Sequence, residues 1–198
     1  PQPITYSFIG ECYEKMERFE QALISYGQAI ALEPEWVDAW IGRGVVMDMQ
    51  DRVKEAVVAL RQAVIISPEN PDALYYYASA LVRAKDYGTA LLTFVKLNTV
   101  EPQSLDGWLD HADLLQELKG PEAAAAKLQE VAQVHRLNAI WKYRLVGYLL
   151  RCGREQQALL ELEEALTTDH AAHVEMLERF PELAAMPQVM HLLELYRR

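Results

Sequence analysis

The sequence predicts an all-α protein built from repeated pairs of antiparallel helices, and three periodic features predict it. Pro34, Pro68 and Pro102 stand 34 residues apart. Ala22, Ala56, Ala90, Ala124 and Ala158 keep that interval through five positions. Large side chains do the same in the series Tyr6, Trp40, Leu74 and Trp108, and again in Tyr13, Met47, Leu81 and Leu115. A constant interval of this size marks one supersecondary unit copied along the chain.

In the first unit, Tyr6, Ile9, Gly10 and Tyr13 fall at the three-and-four spacing of one helix face. Glu17-Arg18 is a short polar turn, and Ala22, Tyr26 and Ala29 form the face of a second helix. The small residues Gly10 and Ala22 let the two helices approach, while the tyrosines fill the space around the crossing. Pro34 ends the unit, because proline disfavours helix in the residue before it and removes a backbone donor. The second and third units repeat this with Gly44 and Ala56, then Ala78 and Ala90, the third turning at Lys85-Asp86. The fourth and fifth are weaker, with turns at Lys119-Gly120 and Cys152-Gly153 but Arg136 and His170 where proline would stand. In the fifth, Tyr143, Val146, Gly147 and Leu150 fit the first-helix pattern one residue late. An inserted residue near Asn138 and a lost one near Gly153 are therefore expected.

The units so defined span 3–36, 37–70, 71–104, 105–138 and 139–172, within a repeat region 1–172. Residues 173–198 differ. His173 to Phe180 reads as a helix broken by Pro181, and a last helix starts at Pro187, a position that tolerates proline. It places Val189, Leu192, Leu193 and Tyr196 inward and Gln188, His191, Glu194, Arg197 and Arg198 toward water. This is a capping element, because a terminal repeat otherwise leaves an apolar face bare.

Composition narrows the function. A formal charge of −10 without any dense Lys/Arg run argues against nucleic acid and against an anionic membrane surface. The longest apolar runs fall short of the roughly 20 residues that a membrane span needs. Cys12 and Cys152 lie far apart and outside any metal-binding spacing, as free thiols of a reducing compartment do. With no signal peptide visible, a cytoplasmic location is expected, although the chain opens at Pro1 without an initiator Met and residues are expected upstream.

The order of aromatic, Ile9-Gly10, Tyr13, then Ala22, Tyr26, Ala29 and Pro34, repeated at 34 residues, resembles the tetratricopeptide repeat (TPR). The resemblance covers residues 3–172 and is closest in the first unit. It implies a right-handed superhelical solenoid of helix pairs whose first helices line a concave face on which peptides lie. It also implies a binding protein with no cofactor and no catalytic role. Carried over by position, one row of that face is Ser7, Ile41, Tyr75, Leu109 and Tyr143. The next rows are Glu11, Val45, Ser79, Asp113 and Gly147, then Glu14, Asp48, Val82, Gln116 and Leu150. Candidate partner-binding residues are thus Ile41, Tyr75, Ser79, Leu109 and Tyr143, fringed by the acids Glu11, Asp48 and Asp113. Tyr75 and Tyr143 are the expected anchors, with Ser79 and Gly147 leaving room beside them.

The family variant that grips C-terminal carboxylates uses Lys, Arg and Asn on this face, whereas the matching positions here are Ser7, Glu11, Gly42, Asp72 and Tyr76. An acidic peptide is therefore disfavoured, and a neutral-to-basic protein or peptide is the expected partner. Asp38, Asp72 and Asp106 each open a first helix, where an acid stabilises the helix dipole. Arg83, Arg144 and Arg151 lie on or near the same face. The alternatives are self-assembly of copies through exposed repeat ends, with Ile4 and Phe8 as the first contacts, and a non-catalytic helper domain of a larger polypeptide. The tail resembles those of bacterial repeat proteins.

No phosphate loop, nucleophile elbow or paired zinc spacing appears in the sequence. His170 and His173, near Asp169 and Glu175, share a helical spacing that a metal could use, but a polar inter-helix turn explains them better. His111 reads as a packed histidine. Trp36 and Trp141 lie off the core register, and Trp36 is expected at an inter-repeat seam or as an exposed anchor.

Overall fold

The computed structural model describes residues 2–132, 134–135 and 138–197, and Arg136, expected at the fourth unit's proline position, lies outside them together with Arg198. The described residues form helices and connecting turns, with no strand among them. Ten helices pair antiparallel in chain order. They are α1 (Pro3–Lys15) with α2 (Phe19–Leu32), α3 (Val37–Met49) with α4 (Val53–Ile66), and α5 (Pro71–Arg83) with α6 (Tyr87–Val100). Then come α7 (Leu105–Lys119) with α8 (Pro121–Val131) and α9 (Ile140–Arg151) with α10 (Glu155–Thr168). The tail holds α11 (His173–Arg179), a 3-10 segment (Pro181–Ala185) and α12 (Pro187–Leu195).

The turns inside the pairs show why the period is kept. Glu17, Asp51 and Lys85 adopt left-handed conformations (φ 56°, 61° and 63°) at equivalent positions, and Gly153 does so with φ 72°. Each is followed by a backbone N–H that reaches back to the last helical turn: Arg18 to the Tyr13 carbonyl, Arg52 to Met47, Asp86 to Leu81 and Arg154 to Leu149. This is the Schellman closure, which satisfies carbonyls that a helix end leaves orphaned. Leu149, not Leu150, therefore takes the place of Tyr13 in the fifth pair. The expected one-residue shift is absent at this turn, which falls in strict register with the first three. The fourth turn differs, since Gly120 takes a positive-φ conformation outside the left-handed helical region (φ 92°, ψ 174°) and Pro121 starts α8 at once.

The chain divides into two compact units, residues 1–101 and 102–198. In the first, Ala22, Ala29, Ala56, Ala63, Ala73 and Ala90 are wholly buried at the helix crossings. Tyr26 fills the space opposite Gly10 and Gly42, where an added Cβ would overlap its ring. Leu60 plays that part opposite Gly44. In the second unit one apolar core joins α7–α10 to the tail, and Phe180 seats its ring on Gly147 and edge-on to Tyr148. Val189, Leu192 and Leu193 turn inward, whereas Gln188, His191, Glu194 and Arg197 are exposed. The tail histidines are held by backbone carbonyls: His170 Nε2 lies 3.2 Å from the Leu193 oxygen and His173 Nδ1 2.5 Å from that of His170.

Candidate peptide-binding cleft

The first helices of the three pairs in the first unit enclose an open cleft of about 430 Å³. From α1 it takes Ile4, Ser7, Phe8, Glu11 and Glu14; from α3, Asp38, Ile41, Gly42 and Val45; from α5, Asp72 and Tyr76. Tyr26 of α2 and Trp36, the residue before α3, complete it. The periodicity explains this set, because residues one turn apart on a helix share a face and equivalent faces recur in each pair. Phe8 and Ile4 are more than half exposed, and Tyr76 keeps over a third of its surface in water. Ile41 is buried as part of the floor.

The electrostatics are one-sided. Four carboxylates line the cleft, from Glu11, Glu14, Asp38 and Asp72, and among the described residues no Lys, Arg or His joins them. Glu11 is ion-paired with Lys15 at 2.7 Å, a solvent-exposed pair. Glu14 accepts a hydrogen bond from the Tyr26 hydroxyl at 2.8 Å. Burial raises the Glu14 carboxyl above its ordinary range, with Glu11 adding to that and the Tyr26 bond opposing it. The Tyr76 hydroxyl is likewise pushed up, by burial first and then by Asp72 and Glu14. Two buried polar atoms at the cleft, Ser7 Oγ and Trp36 Nε1, have no hydrogen-bond partner among the described residues.

The sequence-derived residues fare differently. Ile41 and Glu11 lie in the cleft. Tyr75 is half-buried and stacks edge-on against Tyr76 with ring centres 5.5 Å apart, and Ser79 Oγ donates to the Tyr75 carbonyl at 3.0 Å. Neither is among the cleft's lining residues, and Tyr76, one residue on, is the aromatic that faces it. Asp48 is engaged by Arg83 at 2.6 Å, and Asp51 pairs with the same guanidinium at 2.8 Å.

Leu109, Asp113 and Tyr143 belong to the second unit, and there the expectation of an open binding row is overturned. Leu109 is 4% and Tyr143 2% exposed. Tyr143 donates its hydroxyl to the Asp169 carbonyl at 2.7 Å, and burial pushes its ionisation up. Gly147 leaves no pocket, since Phe180 occupies the space. Asp113 accepts from Arg144 Nη1 at 3.0 Å and also binds the Tyr148 hydroxyl and Arg179. Arg144 reaches Glu175 as well, at 3.3 Å. The acid expected to tune a partner's approach is spent on tying the tail to α7 and α9. What pointed to the cleft was the carboxylate-grip set, because Ser7, Glu11, Gly42, Asp72 and Tyr76 all line it.

Comparison with known proteins agrees with this architecture. The tetratricopeptide repeat profile matches residues 10–71, 50–96 and 109–172. Among solved structures, MamA from Desulfovibrio magneticus RS-1 superposes with a TM-score of 0.71 at 14% identity, covering 85% of this chain and 96% of that one. YrrB, described as a TPR protein with an unusual peptide-binding site, gives 0.66 at 20% identity over 88% of this chain and 91% of its own. The first TPR of Spaghetti (RPAP3), solved with the HSP90 peptide SRMEEVD, gives 0.58 at 14% identity over 59% and 95%. No curated protein matches the sequence significantly. With helix pairs at a 34-residue interval, small residues at their crossings and a profile match over most of its length, the chain belongs to the tetratricopeptide-repeat family.

Proposed function

We propose that the protein is a scaffold or adaptor that binds a neutral-to-basic segment of a protein partner in the cleft of its first unit. The observation that carries this reading is the cleft itself, a concavity formed by first helices with exposed Phe8 and Tyr76 at its surface. Aromatic side chains supply large contact area at low entropic cost, and a few of them dominate most interfaces. Peptide binding by YrrB and by the RPAP3 repeat gives the reading precedent within the fold. The function is recognition rather than catalysis: the cleft offers carboxylates and aromatic surface, which suit holding a ligand.

The test is selection of random peptides against the wild-type chain, followed by titration into Phe8→Ala/Tyr76→Ala. Both side chains are exposed, so the fold survives. Affinity for the selected peptides is expected to drop by about 2–4 kcal/mol, as for truncated hot spots. Undiminished binding to a well-folded double variant moves the site elsewhere.

A further inference from the structure

The Ser7 hydroxyl departs from a pattern that other buried or half-buried helical hydroxyls follow. Ser25, Ser79 and Thr93 each lie within a helix and donate to the carbonyl four residues earlier, at 2.9, 3.0 and 2.8 Å. Ser7, also within a helix and only 9% exposed, makes no such bond, and its buried Oγ has no partner. Trp36 departs from a second pattern. Trp40, Trp108 and Trp141 each donate their indole N–H to the carbonyl six residues earlier, at 2.8, 3.0 and 2.8 Å. The indole N–H of Trp36 is buried and donates to none of the described residues. A buried polar group without a partner keeps its full desolvation penalty. Both exceptions line the same cleft, and that cleft carries four carboxylates without a base.

We infer that the cleft is a seat for one lysine or arginine side chain of an extended partner segment, with Glu14, Asp38 and Asp72 receiving the cation and Ser7 and Trp36 hydrogen-bonding the segment's polar groups. The inference rests on the peptide-binding reading above and names the chemistry that this site selects. Tyr76 and Phe8 flank the seat with apolar surface on which the methylene stem of a lysine or arginine packs. Glu11 contributes less, because Lys15 already pairs with it. Tyr26 holds Glu14 in place through its hydroxyl. The Trp36 indole N–H only donates, so it needs an acceptor such as a backbone carbonyl of the segment, while the Ser7 hydroxyl can serve either sense. Charge complementarity also decides between occupants. A second copy of this chain carries a net charge of −10 and meets the carboxylates with repulsion.

The experiment uses the full chain and three fluorescein-labelled peptides: Ala-Lys-Ala-Lys-Ala-Lys amide and its counterparts with norleucine or glutamate in place of lysine. Fluorescence anisotropy is expected to show binding of the lysine peptide that weakens with salt, at least about tenfold weaker binding of the norleucine peptide, and none of the glutamate peptide. Asp38→Asn/Asp72→Asn, at two exposed positions, is expected to weaken the lysine peptide about tenfold while leaving the norleucine peptide unchanged. Trp36→Phe keeps the ring and removes only the donor, so it weakens both peptides alike and leaves the salt slope as it was. Glu155→Gln/Glu178→Gln removes the same charge from the second unit and is expected to change nothing.

Equal binding of the lysine and norleucine peptides, with both weakened by Phe8→Ala/Tyr76→Ala, overturns the basic seat while the peptide-binding reading stands. Lysine-peptide binding that falls equally in the Glu155→Gln/Glu178→Gln control reports the net charge of the chain and overturns the seat as well. If no peptide responds to any cleft variant, both readings fall. If Asp38→Asn/Asp72→Asn changes the sedimentation of the chain but not peptide affinity, the cleft is a contact between copies and the proposal is wrong.

Discussion

His111 stands where the repeat ordinarily has an apolar residue, and it is 3% exposed. Burial pushes its ring down to about 4, with Lys127 and Lys119 adding to the effect. The unfolded chain takes up this proton near 6.5, whereas the folded chain resists until about 4. The stability tied to neutral His111 is therefore complete above 6.5 and is lost as pH falls through that window, by on the order of 2–3 kcal/mol. Denaturant midpoints measured at neutral pH and near pH 4 check it: the wild type loses that increment and His111→Leu, which does not titrate, loses less by the same amount. The positive-φ turn residues give a second prediction. Gly153 holds φ 72° with no Cβ to resist it, so Gly153→Ala is expected to lower stability by roughly 1–2 kcal/mol in a melting experiment.

At the scale of helices, the crossings dominate. Ala90 is wholly buried in α6, so Ala90→Leu overpacks the crossing and should cost about 1–3 kcal/mol; an unchanged midpoint by circular dichroism would disprove the register. Tyr143→Ala in α9 is expected to cost about 3–5 kcal/mol of stability, as large buried aromatics do, without touching peptide affinity in the first unit. Helices and their crossings were legible in the sequence because small and large residues recur in separate series, one for each side of the packed pair. The outward-facing rows were legible only by position. Position placed Tyr143, Leu109 and Asp113 on a binding face, but a row cannot say what lies on it. Phe180 and Arg179 cover that face in the second unit, and residues so distant in sequence leave no local signal. In the first unit Ser7, Glu11, Glu14, Ile41 and Val45 of those rows do line a cleft, yet the side chain that faces it beside Asp72 is Tyr76, not Tyr75. The two unpartnered donors were hidden for another reason: a hydrogen bond that fails to form has no sequence pattern.

At the scale of the whole molecule, Leu183, Val189, Leu192 and Leu193 close the core of the second unit. Removing residues 181–198 is therefore expected to strip amide-exchange protection from α9 and α10 and to promote association seen by light scattering. A truncated chain that stays monomeric with protection intact would show that α12 covers nothing essential. The turn residues Glu17, Asp51 and Lys85 fall at one constant interval and share one backbone closure, with consequences for how such a chain can grow. They act as punctuation, and each stretch between them is a cassette that begins and ends in the same phase. A second copy of residues 37–70 spliced in after Asn70 would therefore meet its neighbours in register. The lengthened protein should keep the wild-type ellipticity per residue, with a gap opposite the copied Gly42, where Leu60 of the preceding second helix stands in place of the Tyr26 ring. Filling that gap by changing the leucine to tyrosine should raise the melting midpoint, an alteration chosen from the repeat spacing together with the Gly42–Tyr26 contact.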